Sequence, residues 1–172
     1  MKKHLAVKNR DNIILAKPSG VTLEAHVSNV MSEARKVEKV HPFLFKKYQN
    51  KVGKSLKVRL EKAIEYHDLG KKSEKWQSAC RKDYEMVENW KARNGGDIKE
   101  FEKKNGNQAG KHLREASIRH ELESLNDVFH TQPPLALKAA IVAHHSKLSE
   151  RFEERWKREG MINLWKDFKI ES

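Results

Sequence analysis

Apolar residues recur at intervals of three and four along most of this chain, which is the spacing of one face of an α-helix. The first such stripe follows Thr22, a residue suited to cap a helix N-terminus, and it ends before Pro42. Its members are Leu23, Val27, Val30, Met31, Ala34 and Val37. We find no stretch that alternates apolar and polar residues as a half-buried β-strand does. The pattern therefore predicts an all-α protein.

Four further helices are predicted after the first. One covers about Val58 to His67, and a short one surrounds Trp76 and Ala79. Residues 113–129 carry the clearest helical periodicity. A Pro-Pro pair interrupts that periodicity before the last core helix, whose apolar stripe runs from Leu137 to Leu148.

Two segments differ from these helices in composition. Residues 91–111 place glycine and asparagine between charges, which favours a flexible loop or insertion. Residues 150–172 form a charged, amphipathic tail. Because a chain of 172 residues can bury one sizeable core, we expect a single domain over residues 1–172.

The composition indicates a basic protein of a reducing compartment. The formal net charge is +12, which favours a polyanionic partner and nucleic acid above all. No apolar run has the length that a membrane span needs, and the N-terminus does not resemble a secretory signal. The single cysteine, Cys80, excludes an internal disulfide and suits the cytoplasm, where we expect it to be a packed or idle thiol.

Several histidines lie on or beside the apolar stripes. His26, His67, His120 and the doublet His144-His145 belong to this group, and Asp68 directly follows His67. A single histidine in such a place is more often an ordinary core residue. A buried neutral imidazole needs partners for both ring nitrogens, however, and a metal ion with a second acceptor supplies them. We therefore predict a metal site wherever several of these side chains converge.

The two doublets bear on the number of ions. The side chains of adjacent helical residues point about 100° apart. Two adjacent ligands can therefore face one small ion only where the helix end is distorted, and otherwise they flank two ions. Asp68 has two carboxylate oxygens and suits a bridge between two divalent ions. The mixed nitrogen and oxygen set favours Mn, Ni, Fe, Co or Zn over Mg alone, although Mg stays open. Without thiolate partners for Cys80, a structural zinc site is not expected.

Other charged residues have weaker context. Lys71 would place an ammonium near an anion on the metals, or it is an ordinary solvated lysine. The remaining histidines are interpreted as surface, turn or loop residues. They are His4, His41, His112 and His130.

Four blocks of sequence carry a family resemblance. They are Leu15-Ala16-Lys17 with Gly20 to His26, His67-Asp68-Leu69-Gly70-Lys71 with Trp76-Gln77, Arg119 to Ser124, and Ala140 to His145. In this order, over residues 15–148, the chain resembles the HD superfamily of metal-dependent phosphohydrolases. More specifically, it looks like the HD nuclease of type I CRISPR interference, either as a stand-alone subunit or as the N-terminal part of the nuclease-helicase.

The resemblance implies two metal positions around a shared carboxylate. His26, His67 and Asp68 would hold the first ion, and Asp68, His120, His144 and His145 the second. Lys71 would contact phosphate or position Asp68. The family adds a late aspartate to the first ion, for which Asp167 is the candidate in this chain.

The function that the resemblance implies is hydrolysis of single-stranded DNA in CRISPR-mediated antiviral defence, as an endonuclease, an exonuclease or both. A separate helicase subunit and the crRNA-guided surveillance complex would be its partners, since the chain carries no helicase motif. Trp76 or Trp90 would stack a base, or would belong to the core. Two alternatives stay open, namely an HD phosphohydrolase of small nucleotides and a helical adaptor in a nucleic-acid complex with a decayed site.

Overall fold

The computed structural model describes residues 13–145, apart from the side chains of Asn107 and Phe129. This part of the chain is all-α, as predicted, and its one extended pairing is an isolated bridge between Leu15 and Thr22. Residues 13–145 contain eight α-helices: α1 (Leu23–Val40), α2 (Pro42–Val52), α3 (Leu56–Tyr66), α4 (Glu74–Asn94), α5 (Ile98–Asn105), α6 (Lys111–Ala116), α7 (His120–Phe129) and α8 (Leu135–Ala143). Short 3₁₀ segments cover Leu69–Lys72 and Gly106–Gly110. Among the helices of residues 13–145, none combines the length and the apolar character needed to cross a membrane.

Side-chain caps fix where several helices begin. The Thr22 hydroxyl accepts a hydrogen bond from the Ala25 N–H at 3.1 Å, which confirms the predicted cap of α1. The Ser55 hydroxyl accepts from the Val58 N–H at the start of α3. These caps satisfy backbone donors that have no partner within the helix itself.

The described residues divide into two compact units. The first unit comprises residues 13–30 and 71–118, and the second comprises residues 31–70 and 119–145. The core of the second unit consists of Leu125, Val128, Leu137, Ile141 and Val142, all buried between α7 and α8. The partly buried Ala63 and Tyr66 of α3 pack against that core, so α3, α7 and α8 are held together by apolar contact. Organisation as a single domain stays a prediction.

The first unit has two apolar clusters along α4. Leu15, Trp76 and Cys80 form one of them, and Val87, Phe101 and Ala109 form the other. The Gln77 side chain joins Leu15 to this helix, because its amide both accepts from the Leu15 N–H at 3.0 Å and donates to the Leu15 carbonyl at 2.8 Å. Trp76 is 4% exposed, which assigns it to the core rather than to a stacking surface.

Residues 91–111, for which the composition favours a flexible loop, are largely helical. Helix α4 continues to Asn94, and α5 begins after Asp97, whose carboxylate accepts from the Lys99 and Glu100 N–H groups at 2.9 and 3.0 Å. Phe101 anchors α5, since its side chain is only 3% exposed. A capping aspartate and a buried aromatic residue thus support a helix in a segment that is otherwise rich in charge.

The helix predicted over residues 113–129 is in fact two helices. Ser117 adopts a left-handed backbone with φ of 51° and ends α6, and α7 begins at His120. The last helix is also shorter than its apolar stripe suggested, because α8 ends at Ala143. Both changes move histidines from predicted helix interiors to helix ends. The tail over 150–172 lies outside the described residues.

Candidate metal centre

Five of the predicted ligands lie at helix ends in the second unit. His67 and Asp68 directly follow α3, His120 is the first residue of α7, and His144 and His145 directly follow α8. The C-termini of α3 and α8 carry the partial negative charge of their unsatisfied carbonyl groups, which favours a cation nearby. The partial negative charges of these two helix ends therefore add to the negative charge of the Asp68 carboxylate, and both favour a bound cation.

The Asp68 carboxylate contacts three imidazoles. Its Oδ2 lies 3.3 Å from Nε2 of His67. Its Oδ1 lies 3.2 Å from Nε2 of His120 and 3.4 Å from Nε2 of His144. The Asp68 side chain is 1% exposed, so this carboxylate is removed from water. A buried carboxylate is strongly unfavourable unless cationic partners surround it.

Main-chain contacts define the tautomers of two of these histidines. Nδ1 of His67 lies 2.7 Å from the Ile64 carbonyl oxygen, and Nδ1 of His144 lies 2.6 Å from that of Ile141. A carbonyl oxygen only accepts, so each Nδ1 is the donor and the lone pair of the neutral ring is on Nε2. This arrangement is typical of metal-binding histidines, whose second nitrogen is held by a backbone carbonyl or a carboxylate.

His144 provides the test of whether a metal fits. Its Nε2 is buried and has no hydrogen-bond partner among the described residues. The same nitrogen faces Oδ1 of Asp68 at 3.4 Å. Because Nδ1 of His144 already donates to a carbonyl, the lone pair of Nε2 points toward the Asp68 oxygen. This contact is repulsive unless a positive charge lies between the two atoms. A metal ion supplies that charge and satisfies both atoms.

Four side chains can contact one ion together. Asp68, His120, His144 and His145 each offer a ligand atom, and these atoms lie within 4.8 Å of one another. Three imidazole nitrogens and one carboxylate oxygen suit a transition-metal ion. His145 is exposed, so the group is open to solvent on one side. This part of the structure can therefore hold a metal ion, whereas the number and identity of the ions stay predictions.

The end of α8 explains how two adjacent histidines belong to one group. Since the helix stops at Ala143, the backbone bends at both His144 and His145. Their ring centroids lie only 4.1 Å apart. The angular separation of neighbouring residues in a regular helix therefore does not apply here.

Ser124 and Gly70 join the α3 end to the α7 end. The buried Ser124 hydroxyl accepts from the Gly70 N–H at 2.8 Å, and it lies 2.9 Å from the His67 carbonyl and 2.7 Å from that of His120. Gly70 approaches α7 so closely that a Cβ there would lie 2.2 Å from the His120 carbonyl oxygen. In the sequence, Gly70 and Ser124 stood out only as members of the blocks that carry the family resemblance, and this contact between them was not predicted.

A second carboxylate lies beside His120. Glu121 is 4% exposed and pairs with the Arg119 guanidinium, while its Oε2 is 3.8 Å from Nδ1 of His120. Burial opposes ionisation of Glu121, but its backbone hydrogen bond and the Arg119 side chain outweigh burial, so its pKa lies below the usual value. The charged form adds a negative group close to the histidines.

Two predicted site residues lie in the first unit, and a third lies outside the described residues. His26 lies in α1 within the first unit, and its N–H donates to the Thr22 carbonyl at 3.0 Å. Lys71 also belongs to the first unit, where its ammonium lies 5.6 Å from the centre of the Trp76 ring. Asp167 lies outside the described residues. Their roles at the metal centre stay predictions.

Comparison of the chain with protein-family models, with curated proteins and with solved structures gives no match. Functional inference therefore depends on the geometry of the metal centre and on the charge of the chain.

Proposed function

We propose that this protein is a metal-dependent phosphohydrolase of the HD type. The observation that carries the proposal is the buried carboxylate of Asp68, which contacts the Nε2 atoms of His67, His120 and His144. The two oxygens of Asp68 face different imidazoles, as a carboxylate shared by two metal ions requires. Two divalent ions, Mn, Ni, Fe, Co or Mg, are the proposed cofactors.

The proposed reaction is hydrolysis of a phosphodiester. Bound divalent ions would supply the Lewis acidity that activates water and neutralises phosphate charge. The chain itself positions the ligands: carbonyls of Ile64 and Ile141 fix the rings of His67 and His144, and Ser124 fixes α3 relative to α7. Exposure of His145 leaves a side of the group open for a substrate. His26 is kept as a proposed ligand, and Lys71 as the proposed phosphate contact.

Single-stranded DNA is the proposed substrate, in CRISPR-mediated defence with a separate helicase and a crRNA-guided surveillance complex. The net charge of +12 supports a polyanion over a small nucleotide, because Lys and Arg contacts to many phosphates release counterions. A cytoplasmic location is part of this proposal. It is supported by the thiol of Cys80, which has no cysteine partner in the sequence.

The experiment is a cleavage assay on a labelled single-stranded oligonucleotide with Mn²⁺ or Ni²⁺. We expect Asp68→Asn and His120→Ala each to lower the cleavage rate by at least roughly 10- to 100-fold. Loss of a residue that only supports a metal ligand already costs about that much. His41→Ala, a change at an exposed histidine outside the group, is the matched control and should leave the rate unchanged.

Elemental analysis of the same preparations separates the alternatives. Stoichiometric metal with turnover of nucleoside phosphates but not of the oligonucleotide would favour a small-nucleotide phosphohydrolase. Absence of both metal and turnover would favour the decayed adaptor. Wild-type cleavage by the Asp68→Asn variant would overturn the proposed site.

A further inference from the structure

We propose that the first unit carries a nucleotide-binding cavity that is separate from the metal centre. The cavity measures about 630 Å³ and lies between α4, α5 and the segment that leads into α6. That volume is within the roughly 300–1,000 Å³ typical of small-molecule sites. All of its lining residues belong to the first unit, and none of them is one of the metal-centre residues.

Trp90 and several amides favour a nucleobase at one end of this cavity. The Trp90 ring is fixed by an edge contact with Phe101, with ring centroids 5.5 Å apart. The Lys104 ammonium lies over the same ring, 5.4 Å from its centre, so a base would stack on the opposite face or displace this side chain. The Asn94 and Asn105 amide nitrogens donate to the carbonyls of Trp90 and Phe101, both at 2.9 Å, so these two side chains are held in place. Their amide oxygens are then oriented acceptors beside an aromatic ring. Stacking together with amide hydrogen bonds is how proteins commonly hold bases.

Lys82 and His112 favour a phosphate at the other end. Both residues line this cavity and also a neighbouring one of about 310 Å³, so they lie where the two adjoin. Lys82 precedes Trp90 on α4 by eight residues, which corresponds to about 12 Å along the helix axis. An exposed ammonium at that position is suited to a phosphate attached to a base at Trp90.

The His112 ring is held rigidly by a buried carboxylate. Asp83 is fully buried, and its oxygens accept from Nδ1 of His112 at 2.8 Å and from the His112 and Leu113 N–H groups at 2.9 and 3.0 Å. This contact leaves Nε2 as the ring nitrogen for a ligand. Glu85 lines the same cavity, so positive charge alone does not retain an anion there. The cavity thus favours a base with its phosphate over free phosphate.

The test is calorimetric titration with AMP, adenosine and inorganic phosphate in EDTA. We expect AMP to bind at one site and more tightly than either fragment. Lys82→Glu should weaken AMP by about tenfold, since charged hydrogen bonds are worth about that factor, and should leave adenosine unchanged. Trp90→Leu should weaken both AMP and adenosine by at least about fivefold. Lys47→Glu, the same charge change on α2, is the control and should alter neither.

Two further arms make the result decisive. A single-stranded oligoadenylate that binds more tightly than AMP, with the same response to Lys82→Glu, would show that the nucleotide comes from a strand. Equal affinity for AMP and the strand would indicate a free nucleotide. The proposal is overturned if phosphate binds as well as AMP, or if Lys82→Glu, at an exposed position, leaves AMP affinity unchanged. The titrations are done in EDTA and do not depend on bound metal. Their result therefore stands even if the proposed nuclease activity is not found.

Discussion

Removal of the Ser124 hydroxyl should weaken both the fold and the metal centre. In Ser124→Ala the Gly70 N–H, which now donates to this hydroxyl at 2.8 Å, would stay buried without an acceptor. A buried donor without a partner costs about 1–3 kcal/mol. The higher helix propensity of alanine offsets at most about 0.7 kcal/mol of that. The expected net loss of unfolding free energy is therefore about 1–2 kcal/mol.

The same change should loosen the ligands. The hydroxyl links the backbone of His67 to that of His120, and these two residues contact opposite oxygens of Asp68. Loss of comparable outer-shell contacts lowers metal affinity by about 10- to 100-fold. We expect a loss in that range for Mn²⁺.

Two assays separate these effects. Thermal unfolding in EDTA reports the fold alone, and a loss of about 1–2 kcal/mol corresponds to a fall in Tm of roughly 2–8 °C for a chain of this size. Calorimetric titration with Mn²⁺ at a temperature well below Tm reports the site. Ser28→Ala, at an exposed position of α1, is the control. If Ser124→Ala keeps both the Tm and the Mn²⁺ affinity of the wild type, the link between α3 and α7 is not what organises the ligands.

Three further predictions concern packing, ionisation and capping. Gly70→Ala should lower the free energy of unfolding by about 1–3 kcal/mol or more, because the new Cβ would clash with the backbone carbonyl of His120. Gly110→Ala is the control, since its Cβ would meet only the end of the Arg114 side chain. Equal thermal stability of the two variants would contradict this prediction. Burial, and then the charge of Asp83, raises the pKa of the Cys80 thiol to about 12, so native protein at pH 8.5 should resist iodoacetamide and react only once unfolded. Because the thiol of the unfolded chain ionises near 9.0, this group should lower stability as pH rises from about 9 toward 12, and rapid alkylation of folded protein would refute the burial. Asp97→Ala should cost about 1 kcal/mol and speed amide exchange in α5, and unchanged exchange there would show that the cap is dispensable.

The sequence predicted the helical class and the start of α1 because both depend on local signals. Thr22 caps α1 and the apolar stripe behind it has helical period, so tertiary context adds little there. The break at Ser117 could not be predicted in this way. A serine in the left-handed region has no distinctive sequence pattern, and the apolar period continues across it.

The candidate site was predictable as residue types but not as geometry. The doublets His67-Asp68 and His144-His145 indicated metal chemistry, yet their convergence depends on α3 and α8 stopping immediately before them. Gly70 shows the same limit, since its close approach to α7 depends on a contact between distant parts of the chain. Propensity scales describe neighbours in sequence and carry no information on such contacts.

The direct contact between Asp68 and His120 has a consequence for folding. A cation bound to both residues would act as a reversible cross-link that closes the intervening stretch, residues 69–119, into a loop. Because such an ion dissociates when the chain unfolds, it would stabilise the native state through its binding energy to the folded protein and not through a constraint on the unfolded chain. The supply of metal would then determine how long the folded protein survives.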